Sequence, residues 1–203
     1  MKKIFSLLAL VLLVVLFYFY FFPKQPNNIF DEIYQETEQT YLGNNVFNKL
    51  KDVEVHKYQE YSDDSKFYPS IVYERNALPY SYEKIAIDFN FKSEAQLSLI
   101  SFEKRIESNV SIKMWTVYSH KERSLKKFVK IVLKKAGTKN YIEDEAQVKS
   151  YLDQYGITAK DLDSYYGEIV NQKVLKDWCT IYDSKFSPSN YGDVKIETQW
   201  ENW

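Results

Sequence analysis

The most constraining feature of this sequence is an apolar run at its N-terminus. From Ile4 to Phe22 the chain has nineteen residues without a charge, and Ser6 is the only clearly polar one. At a rise of about 1.5 Å per residue, a helix of this length spans roughly 28 Å, close to the hydrocarbon thickness of a bilayer. Lys2 and Lys3 precede the run, so the positive-inside rule predicts a cytoplasmic N-terminus and an extracellular remainder.

The exit from this run distinguishes a permanent anchor from a cleaved signal peptide. Signal peptides end at small residues in an A-x-A-like pattern. Here the exit reads FYFYFFP, an aromatic cluster typical of the membrane–water interface. We therefore predict an uncleaved single-pass transmembrane anchor over residues 1–23, a linker over 24–28 and one extracellular domain over 29–203. A cleaved signal peptide is the alternative.

Charge and cysteine content narrow the class of domain. The chain has 27 Lys and Arg against 28 Asp and Glu. This balance argues against nucleic-acid binding, which requires a basic domain. Cys179 is the only cysteine, so no intramolecular disulfide can form and the domain must be stable through packing. Because it follows Trp178 in an apolar setting, Cys179 is predicted to be buried filler.

Residues 52–120 alternate between apolar and polar side chains, as strands do. The clearest strand is KIAIDFNFKS, residues 84–93. One side of it carries Ile85, Ile87, Phe89 and Phe91, and the other carries Lys84, Asp88 and Asn90. About five such strands follow one another with short connections, which predicts an antiparallel meander.

Helical periodicity precedes and follows these strands. Asn28 is predicted to cap a first helix that turns Ile29, Phe30 and Ile33 inward and Asp31 and Glu32 toward solvent. Three later helices are predicted: one from Ser124 to Gly137, one closed by Gly156, and one that begins at Thr158 with a capping box to Asp161. A last strand is expected over residues 193–203. Grouped strands followed by grouped helices predict an α+β fold, in which α-helices pack on one face of a curved, meander-like sheet after the transmembrane helix.

A basic run over residues 121–135 stands out in this predicted order. It contains Lys121, Arg123, Lys126, Lys127, Lys130, Lys134 and Lys135 against the single acid Glu122. On a helix, these side chains would form either the ordinary polar face of a packed helix or a surface that faces anionic lipid.

The sequence contains no motif that carries catalytic chemistry. Its two histidines, His56 and His120, lie far apart without the spacing of zinc ligands, and are expected on the surface or on a strand face. Five glycines in 203 residues leave no phosphate-binding loop. Asp63 and Asp64 form a carboxylate pair in a predicted turn, where solvent would keep both ionised. We therefore predict no catalytic, cofactor or metal site and no enzymatic activity, although a hydrolase is not excluded by sequence alone.

Three segments together resemble the TipC family of immunity proteins of Gram-positive bacteria. They are the anchor MKKIFSLLALVLLVVLF, the strand region YEKIAIDFNF and the closing DWCTIYDSKFSPSNYGDVKIETQW. The resemblance implies an immunity protein that sits outside the cell on its membrane anchor. Its partner would be a type VII-secreted LXG toxin of the TelC type, which attacks the lipid-linked cell-wall precursor. Inhibition would occur by tight occlusion and would protect the producing cell and its siblings during interbacterial competition.

The polar side of the sheet is the predicted partner-binding surface. If Ile85 and Ile87 face the core, Asp88 and Asn90 face away from it, and strand register adds Glu74, Glu103 and Trp115. Acidic groups around an aromatic side chain suit an electrostatically steered protein interface.

Two other functions stay open at this point. A membrane-anchored cell-envelope hydrolase would require a cleft with a strongly perturbed carboxyl or imidazole group. An extracellular lipid- or small-ligand-binding protein would require a closed apolar cavity.

Overall fold

The computed structural model describes residues 8, 10–15, 25–40, 46, 49–59, 67–93, 96–201 and 203. Residues 10–15 are helical, whereas most of the anchor predicted over residues 1–23 lies outside the described residues. Within the described ranges, every helix is too short or too polar to cross a bilayer.

Eight strands of the described chain form one sheet. They are β1 Val53–Gln59, β2 Phe67–Tyr73, β3 Tyr82–Ser93, β4 Gln96–Arg105, β5 Val110–Ser119, β6 Ser124–Lys135, β7 Thr138–Ile142 and β8 Lys195–Glu201. Strands β1 to β7 lie side by side in chain order and are antiparallel, and β8 pairs with β6 in parallel. The predicted antiparallel meander is confirmed, because short connections allow only neighbouring antiparallel strands.

The helices come before and after the meander. They are α1 Ile29–Thr40, α2 Glu145–Gln154, α3 Ala159–Tyr166, a π-helical segment Gly167–Leu175 and α4 Lys176–Ile181. The predicted caps are confirmed: Asn28 Oδ1 accepts from the Asp31 N–H at 2.8 Å, and Thr158 forms a capping box with Asp161. The π-helical segment was not predicted, since its sequence keeps the apolar spacing of an ordinary helix.

One hydrophobic core fills the space between the helices and one side of the sheet. Ile85 and Ile87 are buried in it, as predicted, and pair across strands with Phe102 and Ile100. Trp178 of α4 is buried in the same core. The α+β class is therefore confirmed. The side chains of Phe89 and Phe91, also predicted to point inward, lie outside what the structure describes.

The helix predicted from Ser124 to Gly137 is wrong, because these residues form β6 and the start of a hairpin. Ala136 and Gly137 both have positive φ, 48° and 82°, and connect β6 to β7 as a two-residue turn. Gly137 therefore ends a strand and not a helix. The lysines of the basic run from Lys126 to Lys135 consequently lie on both sides of a sheet instead of along one helix, and Lys121 lies in the turn before β6.

The prediction that Asp31 and Glu32 face solvent is also wrong. Asp31 is 1% exposed and Glu32 is 5% exposed. The first turn of α1 packs against the domain, and both carboxyl groups have hydrogen-bond partners there. Asp31 accepts from Gln35 Nε2 at 3.1 Å, and Glu32 accepts from Trp178 Nε1 at 2.8 Å. Partners of this kind make the burial of a carboxyl group tolerable.

Candidate partner-binding surface

The side of the sheet that faces away from the helices is the candidate functional surface, and we call it the open face. Because side chains alternate along a strand, the residues between the core positions point to it. Its described members include Ser70, Ala86, Asp88, Ser101, Glu103, Lys113, Trp115, Phe128, Lys130, Val132 and Tyr141. Ala86, Trp115 and Val132 are buried without belonging to the main core. The open face therefore has a small apolar centre of its own beneath its polar side chains.

The structure brings together three of the five residues predicted for partner binding. Asp88, Glu103 and Trp115 lie on the open face, on the neighbouring strands β3, β4 and β5. Asn90 pairs with Ser98 beyond an irregularity in β3, and its side chain is outside the described set. Glu74 is exposed but lies past the end of β2, where its carbonyl accepts from the Ala77 N–H.

Asp88 is held by two serines of the adjacent strands. Ser70 Oγ on β2 donates to one carboxylate oxygen at 2.9 Å, and Ser101 Oγ on β4 donates to the other at 2.5 Å. Both oxygens accept from neutral hydroxyl groups, so the carboxylate has a fixed orientation, and among the described residues no cation is hydrogen-bonded to it.

Glu103 is instead neutralised within the domain. It is 4% exposed, and its carboxylate lies 2.7 Å from Lys139 Nζ and 3.1 Å from Lys134 Nζ. Lys134 also forms an ion pair with Glu83. Buried and flanked by two cations, Glu103 is part of a structural ion network, so a partner would contact mainly the lysines around it.

Trp115 lies at the centre of an aromatic and basic group. Its ring stacks on Phe128 of β6 with centroids 5.2 Å apart. Lys130 Nζ lies 4.9 Å from the Trp115 ring and 4.5 Å from the Tyr141 ring, and donates to Glu143 at 2.6 Å. Trp115 therefore has a lysine, Lys130, against its ring, whereas the sequence suggested that acidic groups surround it. Lys130 was missed because its segment had been predicted as helical.

Lys113 is the second cation that sequence reasoning missed. It is half-buried in the middle of β5 and lies opposite Glu103 on one side and Lys130 on the other. Within the described chain it takes part in no ion pair or hydrogen bond through its side chain. Burial lowers the pKa of its ammonium group, the attraction of Asp88 opposes that shift, and the repulsion of Lys130 reinforces it. Because side chains alternate along a strand, the sequence of β5 alone places Lys113 on the same side of the sheet as Trp115.

The groups considered for catalysis or metal binding lie elsewhere. His120 is exposed in the β5–β6 turn, where Nδ1 contacts Asp31 and the ring stacks on Tyr34, in agreement with a surface histidine. His56 has no described side chain. Cys179 is half-buried, and burial raises the pKa of its thiol. Among the described residues, no three His, Cys, Asp or Glu side chains are grouped as metal ligands would be.

Among the described carboxyl groups, Glu32 is the one with a raised pKa, which is the direction that a general acid requires. Burial raises the pKa of Glu32, although the hydrogen bond from Trp178 opposes the shift. Glu32 belongs to α1, on the side of the sheet that carries the helices, where its carboxyl group is buried and accepts from Trp178 Nε1. Its chemistry is therefore that of a buried structural carboxyl group.

Comparison with known proteins gives a consistent result in sequence and in fold. Residues 1–199 match the family described as TipC immunity protein-like. A solved structure, described as that of TipC2 from Streptococcus intermedius B196, is 60% identical in sequence and superimposes with a TM-score of 0.81. The match covers 89% of this chain and 100% of that chain. None of the curated proteins compared with the chain matches it.

Proposed function

Since this chain belongs to the TipC immunity protein-like family, we propose that it binds a cognate secreted antibacterial toxin and blocks it. The immunity role itself follows from family membership over almost the whole length and from the 60% identity to TipC2. The proposal adds the mode of action, which is occlusion of the toxin without any reaction catalysed by this chain. The toxin would be a type VII-secreted LXG protein that attacks lipid-linked cell-wall precursor.

The proposed place of action is the outer surface of the cell membrane. The charge-free run of nineteen residues from Ile4 to Phe22 supports this location, because it has the length of a transmembrane helix. The position of Asn28 indicates that the linker between the anchor and the domain is short, because Asn28 is already part of the folded domain. It is fully buried, and its side-chain amide donates to Tyr118 Oη at 3.1 Å and to the Asp193 carbonyl at 2.9 Å. Only a few residues would then separate the bilayer from the folded domain, close to where a precursor-directed toxin must work.

The open face is the proposed contact surface for the toxin. It combines a buried and a half-buried aromatic side chain at its centre with charged groups around them, as protein interfaces commonly do. Trp115 and Phe128 supply the aromatic centre, and Asp88, Lys113 and Lys130 supply the charges. The helices α1 to α4 and the π-helical segment all pack on the other side of the sheet, so none of them covers this surface.

Survival of intoxicated cells tests the proposal directly. A sensitive strain that exports an LXG toxin of the TelC type to its outer surface is given the full chain, a version lacking residues 1–23, or an empty vector. The full chain should restore growth. The version without the anchor segment should protect poorly, because it is not delivered outside the cell. Equal death in all three cultures would refute the immunity role for that toxin.

Direct binding separates occlusion from the two alternative functions. The purified full chain in detergent should bind the toxin in a one-step titration and inhibit precursor cleavage in proportion to the complex formed. Inactivation of the toxin through turnover at a chain-to-toxin ratio well below one, or loss of precursor with this chain alone, would instead indicate an enzyme. Protection without any complex, accompanied by extraction of lipid with the chain, would favour a lipid-binding protein.

A further inference from the structure

We infer that Lys113 is the receptor on the open face for a carboxylate of the toxin, so that the toxin presents an acidic side chain there. The inference rests on the proposed function and specifies the chemistry of the partner at one position. It follows from the burial of Lys113, from the charges around it, and from the hydrogen bonds and ion pairs that its acidic neighbours already form with other residues.

The environment of Lys113 is unfavourable in the unbound protein. Its side chain is half-buried and forms no ion pair with a described residue. It also lies directly opposite Lys130 across the β5–β6 pair. Like charges directly opposite each other on a sheet destabilise it, and partial burial of an unpaired cation adds to that cost. Sequences retain such local conflicts mainly at functional sites.

The neighbouring acids Asp88 and Glu103 attract the ammonium group of Lys113, but neither forms an ion pair with it. Glu103, the cross-strand neighbour of Lys113 on β4, is engaged by Lys134 and Lys139. Asp88 is oriented by Ser70 and Ser101 and forms no ion pair with Lys113. Among the described cations on this part of the open face, Lys84 and Lys113 form no ion pair or side-chain hydrogen bond, and only Lys113 is half-buried, whereas Lys84 on β3 is exposed.

Lys130 differs from Lys113 because its ammonium group already has partners within the domain. It pairs with Glu143 and lies over the rings of Trp115 and Tyr141. A carboxylate that enters from outside would therefore pair with Lys113 and receive additional attraction from Lys130. Contact with the aromatic centre would remove water from the pair and strengthen it. A protein side chain fits this description better than a lipid phosphate, since Trp115 and Phe128 offer the partner an apolar contact beside the charge.

The test compares toxin binding by variants of the full chain in detergent. Lys113→Met removes the charge and keeps the length of the side chain, while Lys113→Arg keeps the charge. Lys149→Met is the matched control, because Lys149 is exposed on α2 and forms no ion pair among the described residues. Dissociation constants for an LXG toxin of the TelC type that the unmodified chain protects against are measured at low and at physiological salt, together with the melting temperature of each variant.

We expect Lys113→Met to weaken toxin binding about tenfold or more and to reduce its dependence on salt, because one intermolecular ion pair is lost. Its melting temperature should be unchanged or higher, since the unpaired charge is removed. A merely structural lysine would lower the melting temperature instead. Lys113→Arg should bind nearly as tightly as the unmodified chain, and Lys149→Met should do so as well.

Two negative results have different meanings. If the unmodified chain binds the toxin and Lys113→Met binds equally well at low salt, the carboxylate receptor is refuted while the proposed function stands. If the unmodified chain does not bind the toxin at all, both the proposed function and this inference are refuted.

Discussion

Trp115 on β5 lies directly opposite Phe128 on β6, and their rings stack with centroids 5.2 Å apart and planes 14° apart. The pair lies on the open face, outside the main core. Because Phe128 is only half-buried, its removal should lower the free energy of unfolding by about 1–2 kcal/mol, less than for a fully buried ring. Urea unfolding of Phe128→Ala measures this loss. Phe128→Leu keeps apolar volume without the stacking and should lose less. An unchanged urea midpoint for Phe128→Ala would show that the stack adds nothing to stability.

Gly192 is required where the end of the linker joins the domain. It has φ +85°, and a Cβ at this position would collide with the Asn27 carbonyl oxygen and the Phe186 ring. We therefore expect Gly192→Ala to cost about 2–3 kcal/mol of unfolding free energy. Gly137 is the matched control, because it has φ +82° and no atom within 4 Å of its Cβ position.

For Gly137→Ala only the backbone conformation is penalised, by about 1 kcal/mol. Urea unfolding of both variants gives the comparison. Equal losses would mean that the loop around Gly192 relaxes freely and that the close approach to Asn27 is unimportant for holding the start of α1.

Sequence reasoning succeeded where local chemistry determines local structure. The side chain of Thr158 and that of Asp161 satisfy backbone N–H groups at the start of α3, and this pattern is readable from two residues. The alternation around Ile85 likewise placed Asp88 correctly, because β3 has one face in the core and one outside it.

The prediction from sequence failed at β6 because this strand has apolar residues on both faces. Leu125 and Val129 point to the main core, while Phe128 and Val132 point to the open face, and together they imitate a helical stripe. The β-branched and aromatic content of the segment favours a strand and was the signal available to correct the prediction. This error concealed Lys130 as a neighbour of Trp115, since contact between two strands depends on register.

The burial of Glu32 could not be read from the sequence either. An acidic residue in the first turn of a helix usually faces solvent, where it interacts favourably with the helix dipole. Here Trp178, 146 residues away in the chain, donates its indole N–H to the carboxyl group at 2.8 Å. Only the tertiary fold brings these two side chains together.

Glu32 leads to a prediction about pH and stability. Burial is the main cause that raises the pKa of Glu32 above its ordinary value of 4.5, and nearby Glu36 adds to the shift. Hydrogen bonds from Trp178 and Ser184 and the charge of Lys185 oppose it. Below about pH 4.5 the carboxyl group is protonated in both the folded and the unfolded chain. As the pH rises, the unfolded chain releases the proton first, so this group's contribution to stability falls until the folded pKa has been passed.

Glu32→Gln should remove that pH-dependent loss. The amide oxygen of glutamine still accepts the hydrogen bond from Trp178, but the side chain cannot ionise. We expect the variant and the unmodified chain to have similar unfolding free energies at pH 4, and the variant to be the more stable of the two at pH 7. Urea unfolding at both pH values measures the difference. Glu74→Gln, at an exposed position, should show no comparable gain at pH 7. A variant less stable than the unmodified chain at pH 7 would show that the folded protein favours the ionised carboxylate, held by Trp178 and Lys185.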